Sequence, residues 1–212
     1  MQSTVLLSTA YLPPIEYIIQ CLRFQKVLIE QFETYQKQTY RNRCTIATAN
    51  GLLQLSIPIR KVNGNHTCTR DIELDNSSRW NQIHWRAIAS AYTHAPYFLY
   101  YSDPFEYLFK NPPILLTELN AELLKIVFKI LKADIDFHYT TDFALIPDKM
   151  VDLRQAIQPK HEASYPGKPS GYAEYIQPFN NKFAFFPNLS IIDLIFNEGP
   201  EALEYLTNDQ VL

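Results

Sequence analysis

Apolar residues recur along this chain in two rhythms, short unbroken runs and helical spacing, and each predicts an element. Val5 to Ala10 (VLLSTA) is a brief apolar run ending in turn-forming residues, which predicts a buried strand. Pro13-Pro14 suits the opening turn of a helix, and Ile15, Ile18, Ile19 and Leu22 then follow at helical spacing. Lys26 to Gln31 (KVLIEQ) is a second strand-length run. Strand, helix and strand within about thirty residues form a βαβ unit, so the sheet contains parallel strands. Asn50-Gly51 then predicts a two-residue type I′ turn between strand-like runs, pairing Ala49 with Leu52, Cys44 with Ile57 and Arg41 with Arg60. Alternation places Cys44, Ile46, Leu53, Leu55, Ile57 and Ile59 on one face, and Arg41, Arg43, Thr45, Gln54, Ser56 and Arg60 on the other.

Further along, Ile72–Leu74 and Ile135–Tyr139 read as short strands. Trp80 to Tyr92 has helical spacing that turns His84 inward with Trp80 and Ile88. After Asn111-Pro112-Pro113, Leu115 to Leu131 is the clearest amphipathic helix, with acidic residues early and lysines late to complement its dipole. Gln158 to Pro187 has no period but is dense in Pro, Tyr and Phe. It is expected to pack onto the body, either as a static cover or as a lid on a basic cleft, carrying Lys160, His161 and Lys168 with it. The end, NLSIIDLIFNEGPEALEYL, predicts a Ser190-capped helix, a stop at Gly199 and a second helix from Pro200. The predicted fold class is α/β: an N-terminal βαβ unit with a mixed sheet and a β-hairpin, flanked by amphipathic helices, in one domain over residues 1–212.

Charge changes this picture. The chain has 22 acidic and 19 basic residues, a net charge of −3. Between Thr34 and Arg70 there is no acidic residue, yet Lys37, Arg41, Arg43, Arg60, Lys61 and Arg70 all fall there. Those six leave 13 basic against 22 acidic residues elsewhere, a balance of −9. Such asymmetry points to a localised anion partner or, more plainly, to a solvated basic face. Two arginines directly across a hairpin repel unless an anion lies between them, which favours a site. The start of the first helix, with Ser8 and Thr9 before it, is a further place for an anion. Arg41→Ala is then expected to weaken anion binding while leaving folding nearly intact.

Other classes recede. No apolar run approaches the ~18–20 residues of a membrane span, and no signal-peptide pattern is present, so a cytoplasmic protein with no membrane contact is expected. Cys21, Cys44 and Cys68 are odd in number and lack a Cys-x-x-Cys, which fits a reducing compartment. His84 and His94 would point to different helix faces, and neither a metal nor a cofactor is indicated. The sequence pI near 5.9 makes DNA an unlikely partner despite the basic strip and 14 tyrosines.

The blocks LSTAYLPPIEYI, YRNRC, W...HW..I..AY..APYF.YY and NLSIIDLIFNEGPEAL, in this order, resemble the WbqC-like family over nearly the whole chain. That resemblance implies association with O-antigen and other surface-polysaccharide synthesis, and transfer of a glycyl group to an amino sugar. Members often carry a Gln-Pro pair, preceded by His or Met, before Tyr-x-Pro; here Ser8-Thr9-Ala10 stands ahead of Tyr11-Leu12-Pro13, so an acid–base role for that histidine is absent. The expected activity is aminoacyl transfer to an amino sugar via an anionic donor, and the expected partners are an anionic small molecule such as a nucleotide sugar and an aminoacyl donor. The alternative is a non-catalytic protein that binds or regulates through the same basic face. Ser8, Thr9, Tyr11, Lys37, Tyr40, Arg41, Asn42, Arg43 and Arg60 are the candidate anion-binding residues, and His84 and Glu30 the candidate bases.

Overall fold

Val5, Leu6 and Leu7 are shielded from solvent on both faces of β1 (Thr4–Ser8), as a strand in the middle of a parallel sheet requires. The computed structural model describes residues 4–144, 150–159, 164–165 and 167–208. β1 leads through α1 (Ile15–Arg23) to β2 (Lys26–Glu30), the predicted βαβ unit, with Ser8 beside Glu30 at the strand ends. A hairpin of β3 (Arg43–Thr48) and β4 (Gly51–Ser56) and a ribbon of β5 (Ile59–Lys61) and β6 (Ile72–Leu74) follow. Then come three helices, α2 (Trp80–Tyr92), α3 (Phe98–Lys110) and α4 (Leu116–Leu131), strands β7 (Asp136–Tyr139) and β8 (Met150–Asp152), and helices α5 (Ile191–Glu198) and α6 (Ala202–Thr207).

The central sheet runs β7-β2-β1-β8 with every neighbouring pair parallel, and the antiparallel pairs form the two separate ribbons. From β1 the chain moves outward through β2 to β7, then returns to place β8 on the other side of β1. The order therefore reverses between β1 and β8, where open α/β sheets commonly hold ligands at their carboxyl ends. Seven of the eight residues of α5 are buried, and it packs against α1, α3, α4 and α6 as the central helix.

The hairpin corrects the predicted register. Ala47, not Ala49, faces Leu52, and Cys44 faces Leu55. Gly51 takes φ 95° while Ala49 and Asn50 keep negative φ, the signature of a type I turn closed by a glycine bulge rather than a type I′ turn. The shift is by two residues, so the faces survive: Arg43, Thr45, Gln54 and Ser56 share one side while Cys44, Ile46 and Leu55 are buried on the other. Arg41 and Arg60 do not oppose each other. The Asn42 backbone pairs with Ile57, Pro58 then interrupts the strand, and Arg60 lies on the second ribbon opposite Glu73. The three arginines expected on one face thus occupy three different environments.

Candidate anion site

The stretch Tyr35–Arg43 is a wall with a different chamber on each side. The wall itself is pinned. Tyr35 N–H donates to Thr67 O at 3.0 Å, and Tyr11 N–H to Tyr40 O at 2.8 Å. Asn120 Nδ2 donates to Arg41 O at 2.9 Å and Asn42 Nδ2 to Ile57 O at 2.8 Å. Gln38 sits at φ 61°, a left-handed conformation that costs a non-glycine residue about 1 kcal/mol and turns the chain back on itself.

On one side is a polar crevice at the carboxyl ends of β1 and β8, where the sheet order reverses. It is lined by Ser8, Thr9, Tyr40, Arg41 and Arg154 and encloses about 10 Å³, room for no more than a water. Its charges are already matched. Arg41, only 2% exposed, pairs with Glu33 at 2.7 Å and donates from Nη2 to Ser8 Oγ at 2.7 Å. Ser8 Oγ in turn donates to Arg154 O at 3.1 Å. Arg154 is held by Asp152 at 2.8 Å and Glu30 at 3.1 Å. Glu30, fully buried, also accepts from Phe32 N, Thr140 Oγ1 and Ala144 N, tying together the ends of β2, β7 and β8. The buried carboxylates and guanidiniums satisfy one another, which is a structural network with no free charge to offer.

On the other side is an open cleft of about 540 Å³, within the roughly 300–1,000 Å³ of small-molecule sites. Tyr35, Ile57, Pro58 and Ile59 contribute apolar surface, and Lys37, Gln38, Asn42, Arg43 and Lys61 the polar groups. Among the described residues, no carboxylate lies within ion-pair distance of Lys37, Arg43 or Lys61. Among the described residues, Arg43 bonds the neutral Gln54 Oε1, at 3.2 Å, while its Nε and Asn42 Oδ1 are buried without a partner. Burial pushes the Tyr35 hydroxyl up to about 12, against the opposing pull of Arg41 and Arg43, so it stays protonated.

The remaining candidates lie apart from this cleft. His84 is buried with Nδ1 2.9 Å from the Tyr11 hydroxyl, and its ring hydrogen-bonds the Ser56 backbone. Desolvation lowers it to about 4, so it is neutral at pH 7. Burial raises Tyr11 well above its usual value, and its hydroxyl donates to that neutral ring. Arg60 approaches Glu73 at 3.9 Å on an exposed ribbon. The start of α1 is also taken: Glu16 stands in its first turn, Asn188 Oδ1 accepts from Glu16 N at 2.9 Å, and Leu189 O from Ile15 N. The helix terminus near Ser8 and Thr9 is thus closed to an anion.

Comparison with known proteins adds the lineage. The WbqC-like protein family matches residues 9–171. The chain belongs to the WbqC-like protein family. It is also 25% identical over 230 aligned positions to the uncharacterized protein Rv1507c of Mycobacterium tuberculosis (strain ATCC 25618 / H37Rv), covering 97% of this chain and 98% of that one. No solved structure matches. The Arg-Asn-Arg element of this WbqC-like chain is split by the wall, Arg41 facing the crevice and Asn42 and Arg43 the cleft. Sequence reasoning missed Lys61 as a cleft residue, although it lay in the same acid-free stretch, because the strand pairing that carries it inward is long-range. It also missed Glu33, one residue before that stretch begins, and Arg154.

Proposed function

We propose that this WbqC-like protein binds a phosphorylated small molecule in the cleft bounded by Lys37, Arg43 and Lys61. One observation carries the reading: three cations border a ligand-sized space with no carboxylate to neutralise them among the described residues. The surface-polysaccharide association of the family resemblance would make that ligand a sugar phosphate or nucleotide sugar, and the setting cytoplasmic. In aminoacyl transfer such a ligand, as a nucleotide-linked amino sugar, would be the acceptor, with the aminoacyl group coming from a separate activated donor whose carrier leaves as the amide forms. Transfer needs a base for the acceptor amine, and neither His84 nor Glu30 lines the cleft, so the geometry supports binding more directly than chemistry. Calorimetric titration with a nucleotide sugar and with inorganic phosphate tests the reading. Binding should weaken by at least about tenfold in Arg43→Ala. Unchanged binding in that variant, or no binding of either probe to the wild type, would remove the cleft as the site. Product formation with an amino sugar would add the catalytic step.

A further inference from the structure

Lys61 stands apart from the other two cations of the cleft. Lys37 and Arg43 flank a single loop, whereas Lys61 reaches the cleft from β5, beyond Pro58, on a different ribbon. Among the described residues its position is held by neutral groups: Nζ lies 5.5 Å from the centre of the Tyr35 ring and 3.3 Å from Asn65 Oδ1. The Tyr35 ring beneath it is buried, and β5 pairs Lys61 with Ile72. The ammonium is therefore stationed at the cleft by a cation–π contact and an amide, neither of which cancels its charge. A formal charge of three, from two separate parts of the chain, surrounds about 540 Å³ with half-exposed Pro58 and Ile59 in its lining. Pyrophosphate carries more negative charge than phosphate and so comes nearer to balancing three cations, while leaving space in the apolar part of the lining for an organic group that a diphosphate carries.

We propose that the cleft recognises a diphosphate group, with Lys61 as the residue that distinguishes it from a monophosphate. This rests on the reading of the cleft as an anion site and narrows it to diphosphate-linked ligands. A half-exposed lysine with no ion pair among the described residues contributes little to folding, so its replacement should report on binding.

The test is calorimetric titration of the full chain with inorganic phosphate and with inorganic pyrophosphate, at fixed ionic strength and without divalent cations. The wild type should bind pyrophosphate at least about tenfold tighter than phosphate. Lys61→Ala should weaken pyrophosphate binding far more than phosphate binding and so erase most of that preference, and Lys61→Arg should restore it. Equal affinity for the two anions, or equal weakening of both by Lys61→Ala, would overturn the diphosphate assignment while leaving an anion site. Failure of both anions to bind would overturn the anion site as well. Tighter competition by a single-stranded oligonucleotide than by pyrophosphate would reassign the cleft to nucleic acid.

Discussion

Arg41 and Arg43 are two residues apart and have opposite roles. Arg41 is buried against Glu33 and Ser8, so Arg41→Ala strands a carboxylate in the interior and should cost about 3–5 kcal/mol in urea denaturation. Arg43→Ala loses one contact with Gln54 and should stay within about 1 kcal/mol of wild type. Similar stability losses in the two variants would contradict this division. The expectation that Arg41 can be removed with folding nearly intact assumed an exposed cation, and at 2% exposed it is not one. The cause is local: Glu33 lies just outside the acid-free stretch and folds back through Thr69 N–H to Glu33 O at 2.9 Å. His84 supplies a second residue-level prediction. Its folded value of about 4 lies below the unfolded value near 6.5, so in that window the unfolded chain binds more protons. Stability should be complete above pH 6.5 and fall by on the order of 3 kcal/mol as pH drops through 4. Melting curves of His84→Gln should show a shallower acid slope than wild type; equal slopes would mean that His84 is charged in the fold. That histidine's inward direction was legible from helical spacing, but its saturation by Tyr11 and the Ser56 backbone depends on contacts distant in sequence.

Among elements, those with strong local patterns were readable. β2, α1, α2, α4 and the Gly199 stop all lie close to their expected places, because periodicity and capping act within one turn or strand. α3 was not anticipated; Pro104 sits inside it and interrupts the helical signal, while Phe105, Leu108 and Phe109 bury its inner face. β8 escaped notice because three residues carry almost no period, and only pairing with β1 makes them a strand. The hairpin turn gives an element-level test. Gly51 needs its positive φ, so Gly51→Ala should cost roughly 1–2 kcal/mol even though an added Cβ would meet only Phe183, at 4.0 Å. Asn50→Ala should fall within about 0.5 kcal/mol, since Asn50 holds no left-handed conformation. Thermal denaturation in which Asn50→Ala costs as much as Gly51→Ala would restore the type I′ turn.

At the scale of the molecule, the segment from Tyr165 to Phe186 is fastened to the body at several points. The Tyr165 hydroxyl donates to Glu16, and Gly167 O accepts from Gln20 Nε2 at 2.7 Å and from Arg23. Tyr175 Oη and Gln177 Nε2 donate to the buried Asp193, at 2.6 and 3.1 Å, and Tyr205 Oη donates to Ala173 O at 2.6 Å. None of its described residues lines the basic cleft, so of the two expectations it is the cover, over α1 and α5, and not the lid; Lys160 and His161 lie outside the described residues. Composition foretold that so many rings would pack, but which surface they cover follows from Glu16 and Asp193, far away in sequence. Likewise the acid-free stretch marked where cations gather, and the fold decided which of them have no carboxylate partner among the described residues. No helix among the described residues is long and apolar enough to cross a membrane. Where an anion binds decides between cleft and crevice, and backbone amide chemical shifts followed by NMR during a pyrophosphate titration locate it directly. The expected result is saturable shifts confined to residues 35–43 and 57–61, with little change at Ser8, Thr9 and Arg154 or between Tyr165 and Tyr175. Shifts centred on the crevice at Ser8 and Arg154, or no saturable shifts at all, would contradict it.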